Sequence, residues 1–166
     1  FGELPLWQWP DVDLIRREPQ TLANTVPCLR RTTAFYTFVQ AMFFRQWTAL
    51  HAYAASRGIR IIGDLPIYVS PDSCDVWAHP QLFELSSDRS PRQQAGVPPD
   101  YFSETGQLWG NPVYHWQAHE KDGFAWWIWR IRSNLRLFDV IRIDHFRGLA
   151  AFWSVPAGET TAVHGE

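Results

Sequence analysis

The stretch Val140-Ile141-Arg142-Ile143-Asp144-His145-Phe146-Arg147-Gly148 decides the fold class. Four residues, Val140 to Ile143, read as a short apolar strand, and a near-continuous apolar run of this kind belongs to a parallel sheet covered on both faces. It stops at a carboxylate, Asp144, flanked by Arg142, Arg147 and His145. In α/β proteins the carboxyl ends of parallel strands are where sites are built, so Asp144 is the first candidate for chemistry.

Working back from that strand, Phe124 to Leu137 repeats Phe124, Trp127, Ile128, Ile131 and Leu135 at helical spacing, and Tyr114 to Lys121 reads as a shorter helix before the break at Gly123. Further upstream, Phe35, Phe38, Val39, Met42, Phe43, Leu50 and Tyr53 predict one long amphipathic helix over 32–57, closed by Gly58. The apolar run Ile59 to Val69 follows, and Pro66 ends it as a ladder strand near Asp64. Helix, glycine, strand, long connection, helix, strand is the order of a βαβ unit, here one right-handed crossover. Two successive parallel strands therefore each carry an aspartate at the carboxyl end, Asp64 and Asp144.

The connection between them is long. Residues 70–112 show little regular period apart from a short helix over 72–78, with Asp72, Ser73 and Asp75 as its caps. Loops of this length are functional or disordered, and the aromatic and amide content of Ala95 to Pro112 argues for function. Tyr101, Phe102 and Trp109 offer flat apolar faces suited to the C–H faces of sugar rings, with Asp100 and Gln107 as polar partners. The same rings could serve only to pack the loop, and Asp144 could serve only as an Asp–Arg tie between elements; residue types leave both open.

Composition narrows the classes. The chain has 166 residues, 46% hydrophobic and 19% charged, with a formal net charge of −2, enough for one ordinary core. It shows no basic patch for nucleic acid and no apolar stretch long enough to span a membrane. Ten tryptophans bring aromatics to 16%, and most of these are expected in the core. Cys28 and Cys74 lack metal-like spacing and are expected as reduced thiols, which favours a cytosolic protein. No second His or Cys stands at ligand spacing near His145, and there is neither a phosphate loop nor a Gly-x-Ser-x-Gly elbow. The start lacks Met and a signal sequence and the end lacks a closing element, so the chain is expected to be part of something longer.

The stretches Ile62-Gly63-Asp64-Leu65-Pro66-Ile67-Tyr68-Val69, Asp75-Val76-Trp77, Ala95 to Pro112 and Arg142 to Gly148 resemble the 4-α-glucanotransferase (amylomaltase, disproportionating enzyme) family of the α-amylase clan. The likeness runs from Trp7-Gln8-Trp9-Pro10 to Val155-Pro156-Ala157-Gly158. It implies a partial (β/α)8 TIM barrel: residues 1–166 as one fragment carrying about strands three and four, flanking helices, and a lid over 70–112. It implies transfer of an α-1,4-glucan segment to another glucan or glucose, with Asp144 as nucleophile and Arg142 orienting it. Asp64 and His145 match sugar-binding positions, and Asp100, Tyr101, Phe102, Gln107 and Trp109 match the lid. The family's general acid/base, a Glu on the next strand, has no match here. The implied partners are α-1,4-glucans and maltooligosaccharides, with no metal or organic cofactor, in the cytoplasm or a plastid. A retaining α-amylase-type hydrolase and a non-catalytic glucan-binding domain are the alternatives.

Overall fold

The computed structural model describes residues 2–166. In chain order the helices are α1 (Val12–Arg16), α2 (Pro19–Cys28), α3 (Arg30–Ser56), α4 (Cys74–Ala78), α5 (Trp116–Lys121) and α6 (Ala125–Leu135). The strands are β1 (Ile62–Leu65), β2 (Gln93–Val97), β3 (Gln107–Pro112), β4 (Val140–Ile143) and β5 (Trp153–Pro156). The chain divides into two compact units, one made of Arg17–Leu65 and Ala125–Asp144, the other of Phe1–Arg16, Pro66–Phe124 and His145–Glu166.

The first unit is the predicted α/β part. β1 and β4 pair in parallel, with Asp64 opposite Arg142 and Leu65 opposite Ile143. The long helix forms as expected and stops at Gly58, whose φ of +71° suits a residue without Cβ. Its C-terminal half is tied to the chain that enters β4. The Trp47 indole N–H donates to the Leu137 carbonyl at 2.8 Å, and the Trp47 ring meets Phe138 edge-on. His51 Nε2 lies 3.1 Å from Asp139 Oδ2, which also accepts the Ile61 amide at 2.8 Å. That amide, followed by His51 and Arg60, holds the Asp139 carboxyl below the usual range. Gly63 is a close-approach position, since a Cβ there would lie 2.1 Å from the Phe138 ring.

Three expectations need correction in this unit. The strand predicted from Ile59 covers only Ile62–Leu65, and Ile59 is exposed. The two strands are not covered on both faces: β1 alternates exposed and buried residues, Ile62 is 66% exposed, and β4 is partly exposed throughout. A two-stranded sheet leaves its outer edges and one face without neighbours. For the same reason the apolar stripe of α3, including Phe35, Phe38 and Leu50, lies at the surface among the described residues. The segment preceding α3, for which no element was predicted, is α2, with Pro19 at its first turn, where a missing N–H costs nothing.

The second unit holds what the sequence predicts as an irregular connection. Here β2 is the centre of a three-stranded antiparallel sheet in the order β3-β2-β5, with a register shift between Gln94 and Gly96. Val76, Ala95 and Val155 are fully buried. So is His119, whose Nε2 lies 3.1 Å from the Leu82 carbonyl and whose pKa is lowered by burial. Of the three caps expected for α4, Ser73 does the capping by accepting the Val76 amide at 3.3 Å. Asp72 instead accepts the Leu6 amide at 2.8 Å.

Candidate active site

The acidic cluster is built by strand register. Because β1 and β4 run parallel with Asp64 level with Arg142, side chains at these positions rise on the same face of the pair. Arg142 spans two carboxylates: Nη1 donates to Asp64 Oδ1 and Nη2 to Asp144 Oδ1, both at 2.7 Å. These are short, charge-assisted bonds using both arms of the planar fork. Asp144 is pinned a second time through its backbone, since its amide donates to the Leu65 carbonyl at 3.0 Å. Asp144 Oδ2 makes no hydrogen bond among the described residues. All three side chains are more than half exposed, so each pair is a modest stabiliser of the fold and chiefly a geometric constraint.

Of the two arginines flanking Asp144 in sequence, Arg142 forms the ion pairs, and Arg147 lines a hollow of about 270 Å³ in the second unit with His145, Pro98, Phe152 and Trp153. His145 follows Asp144 directly and has φ +50° and ψ +46°, a left-handed conformation unusual for a residue with a Cβ. This reverses the chain into a 3-10 turn over Phe146–Leu149. Gly148 is a close-approach position in this turn, since a Cβ there would lie 2.7 Å from Ile67 Cδ1 and 2.9 Å from His145 Cδ2 and push one of those side chains aside. Strain retained in the residue after a candidate catalytic carboxylate is the pattern expected of a functional site.

The remaining predicted residues lie on the β2–β3 hairpin of the second unit. The Trp109 and His145 rings meet edge-to-face at 5.1 Å. Trp109 Nε1 donates to Gln107 Oε1 at 3.1 Å, so two of the predicted lid residues touch. At the tip, Asp100 Oδ1 accepts the amides of Phe102 and Ser103, both at 2.9 Å, so this oxygen shapes the turn. Ser103 Oγ closes the turn by donating to the Gly106 carbonyl at 2.7 Å. The result is a firm tip holding Tyr101 and Phe102, 96% and 92% exposed, as an edge-to-face pair.

One residue beside this set has no counterpart among the predicted ones. Tyr68 stacks on Tyr114 at 5.8 Å and tilts against Trp109 at 6.2 Å. Its hydroxyl is buried without a hydrogen-bond partner among the described residues, and burial pushes its pKa up to about 12. In the sequence Tyr68 is one more member of an apolar run, and nothing there distinguishes it. No group of three or more His, Cys, Asp or Glu side chains gathers as a metal site among the described residues, and no helix among them is long and apolar enough to cross a membrane.

An α/β chain with an acid–arginine–acid cluster at the carboxyl end of parallel strands carries its charge where proteins of that class build active sites. The family model described as 4-alpha-glucanotransferase matches residues 1–166, and the chain belongs to that family. The chain is 55% identical over 159 residues to the 4-alpha-glucanotransferase of Aquifex aeolicus, covering 96% of this chain and 33% of that protein. It is 52% identical over 164 residues to the enzyme of Thermus thermophilus, covering 99% and 33%. It is similar over its whole length to the solved amylomaltase from Streptococcus agalactiae in complex with acarbose, with a TM-score of 0.96, 45% identity and 34% of that chain covered. The chain thus spans about a third of the length of these relatives, and its α/β fold corresponds to part of theirs.

Proposed function

We propose that the full-length protein containing this chain is a 4-α-glucanotransferase that moves a segment of an α-1,4-glucan to an acceptor glucan or glucose with retention of configuration. In this reading β1 and β4 correspond to barrel strands three and four, and residues 70–112 form a lid. The observation that carries it is the Arg142 fork, which holds Oδ1 of Asp144 and leaves Oδ2 free. A carboxylate held by one oxygen has the other aimed by the constraint, as a nucleophile on an anomeric carbon requires.

Asp144 Oδ2 attacks the anomeric carbon, the glycosidic C–O bond breaks, and the departing oxygen takes a proton from an acid supplied outside residues 1–166. An acceptor hydroxyl then attacks the same carbon, loses its proton to the conjugate base, and releases the carboxylate. Arg142 is the positioning cation, and Asp64 fixes the other arm of its fork. His145, Gln107 and Trp109 supply polar and aromatic contacts to the sugars. Tyr101 and Phe102 offer stacking faces to an acceptor, on a tip shaped by Asp100. The unpaired cysteines Cys28 and Cys74 suit a reducing compartment such as the cytosol or a plastid stroma.

The test is incubation of the full-length protein with maltotriose. A ladder of longer maltooligosaccharides with release of glucose is expected. Hydrolysis products without a ladder would favour an amylase-type hydrolase, and binding without turnover a glucan-binding domain. Residues 1–166 alone are expected to be inactive, so turnover by that piece would contradict the assignment of the acid outside it.

A further inference from the structure

The hairpin tip is held from behind by a strap of chain that the proposed chemistry does not use. Residues 157–166 follow β5 without regular structure and return along the second unit's sheet. Glu166 and Ser154 exchange both backbone hydrogen bonds at 2.9 Å, which fixes the far end. Midway, Ala162 is fully buried. Its amide donates to the Thr105 carbonyl at 2.9 Å, and its carbonyl accepts the Trp153 indole N–H at 2.8 Å.

The socket around the Ala162 methyl is cut to size. Its walls include two glycines, Gly96 in β2 and Gly106 at the base of the tip. A Cβ on Gly106 would lie 3.0 Å from the Ala162 methyl and 2.3 Å from the Val97 carbonyl, and one on Gly96 would lie 2.5 Å from the Gln107 carbonyl. A third close approach locks the strap, since a Cβ on Gly165 would lie 2.4 Å from Trp153 Nε1. The two backbones leave no room for a Cβ at Gly96 or Gly106, and Ala162 is fully buried beside them, so a side chain larger than a methyl at position 162 is expected to displace the strap or the hairpin.

We infer that Ala162, clamped between Trp153 and Thr105, is a positioning residue that sets where the β2–β3 tip holds Tyr101 and Phe102, and so sets how well an acceptor binds. The claim about acceptors rests on the transferase reading; the claim about the tip does not. The sequence offers no sign of it, because a small residue in an irregular segment carries no periodicity.

The test uses Ala162→Leu in the full-length protein, with Ala162→Gly as the conservative variant that keeps the socket and both backbone hydrogen bonds. Trp153→Phe removes the indole donor and keeps most of the ring. Hydrogen exchange reads the tip directly. In Ala162→Leu the amides of Phe102, Ser103 and Gly106 are expected to lose protection while those of β1 and β4 keep theirs. Unchanged tip protection in Ala162→Leu overturns the proposal whatever the enzyme does, and so does loss of protection throughout the chain, which would make Ala162 a general stability residue. α-Maltosyl fluoride reads the acceptor role. Fluoride release without acceptor is expected within twofold of the unmodified protein, while the glucose concentration for half-maximal transfer rises about tenfold in Ala162→Leu, less in Trp153→Phe, and not in Ala162→Gly. Equal losses in both steps, or no acceptor shift with an altered tip, would overturn the acceptor role. Absence of transfer in the unmodified protein would instead strike the transferase reading and leave the exchange result to decide on the strap.

Discussion

The two units hold their candidate residues by opposite means. Asp64, Arg142 and Asp144 stand on paired strands whose register sets their spacing, and each carboxylate is gripped by a charged fork at 2.7 Å. Tyr101 and Phe102 stand at a turn closed by its own hydrogen bonds and touch little but each other. The first arrangement fixes individual oxygen atoms, as bond-making demands. The second fixes the orientation of flat faces and leaves them bare, as suits a ligand bound by stacking and released. Precision is thus concentrated where the chemistry is proposed, and exposure where recognition is.

The comparison breaks most sharply at Asp144. Asp144→Asn keeps the shape and can still accept from Arg142, but removes the nucleophilic charge. Transfer from maltotriose by the full-length protein is expected to fall on the order of 10⁴-fold or more, with the melting temperature little changed. Residual activity within tenfold would show that Asp144 is only a structural tie. Arg142→Lys is the next largest. An ammonium cannot reproduce two parallel donors, so Asp144 gains freedom and turnover is expected to drop about 10²-fold, mainly in kcat. If Arg142→Lys changed only KM, the fork would serve binding and not aim.

On the other side of the comparison, Tyr101→Ala and Phe102→Ala are expected to raise the acceptor concentration for half-maximal transfer about tenfold each, the value of one stacking contact. Acceptor-free fluoride release from α-maltosyl fluoride should stay near normal. A large fall in that donor step would put the rings in the donor's path and remove the distinction drawn between the two regions.

The first region was far more legible than the second. Val140–Ile143 could be bounded to the residue because a carboxylate, Asp144, ends the run; the left-handed histidine that follows it is seen only in the structure. α3 could be bounded because Gly58 follows its last turn. Placing both strands in parallel puts Asp64 and Asp144 at the same end, but neither the Arg142 bridge between them nor their exposure was legible: a side-chain bridge needs the register, and coverage of a strand depends on distant chain. The antiparallel sheet was invisible for a related reason. Gln93-Gln94-Ala95-Gly96-Val97 has no alternation of apolar and polar residues, and its partner β5 lies about 60 positions away, with the pairing set by long-range register. Asp100 shows a third kind of limit. Its residue type suits sugar binding and turn capping equally, and only geometry shows one oxygen already holding two amides.

The smallest expected effect comes from Tyr68, where the contrast is between titrating groups. The carboxylates of the first unit are exposed and paired, whereas the Tyr68 phenol is buried beside Tyr114 and Trp109 with no partner among the described residues for its hydroxyl. Its pKa in the fold is about 12, against 10.0 for a free phenol. The folded state therefore keeps this proton more tightly than the unfolded chain, so the contribution is complete below pH 10 and is lost as pH rises through about 12. The rise from 10.0 to about 12 corresponds to about 2–3 kcal/mol, which denaturant unfolding across that window should register as a fall in stability. Tyr68→Phe removes the titrating group and the unsatisfied hydroxyl together. Stability at neutral pH is then expected to hold or rise slightly, and the alkaline fall to shrink by the same 2–3 kcal/mol. A marked loss at neutral pH would mean that the hydroxyl is engaged in the full-length protein. Tyr68 would then stand with the gripped residues of the strand ends and not with the bare rings of the tip.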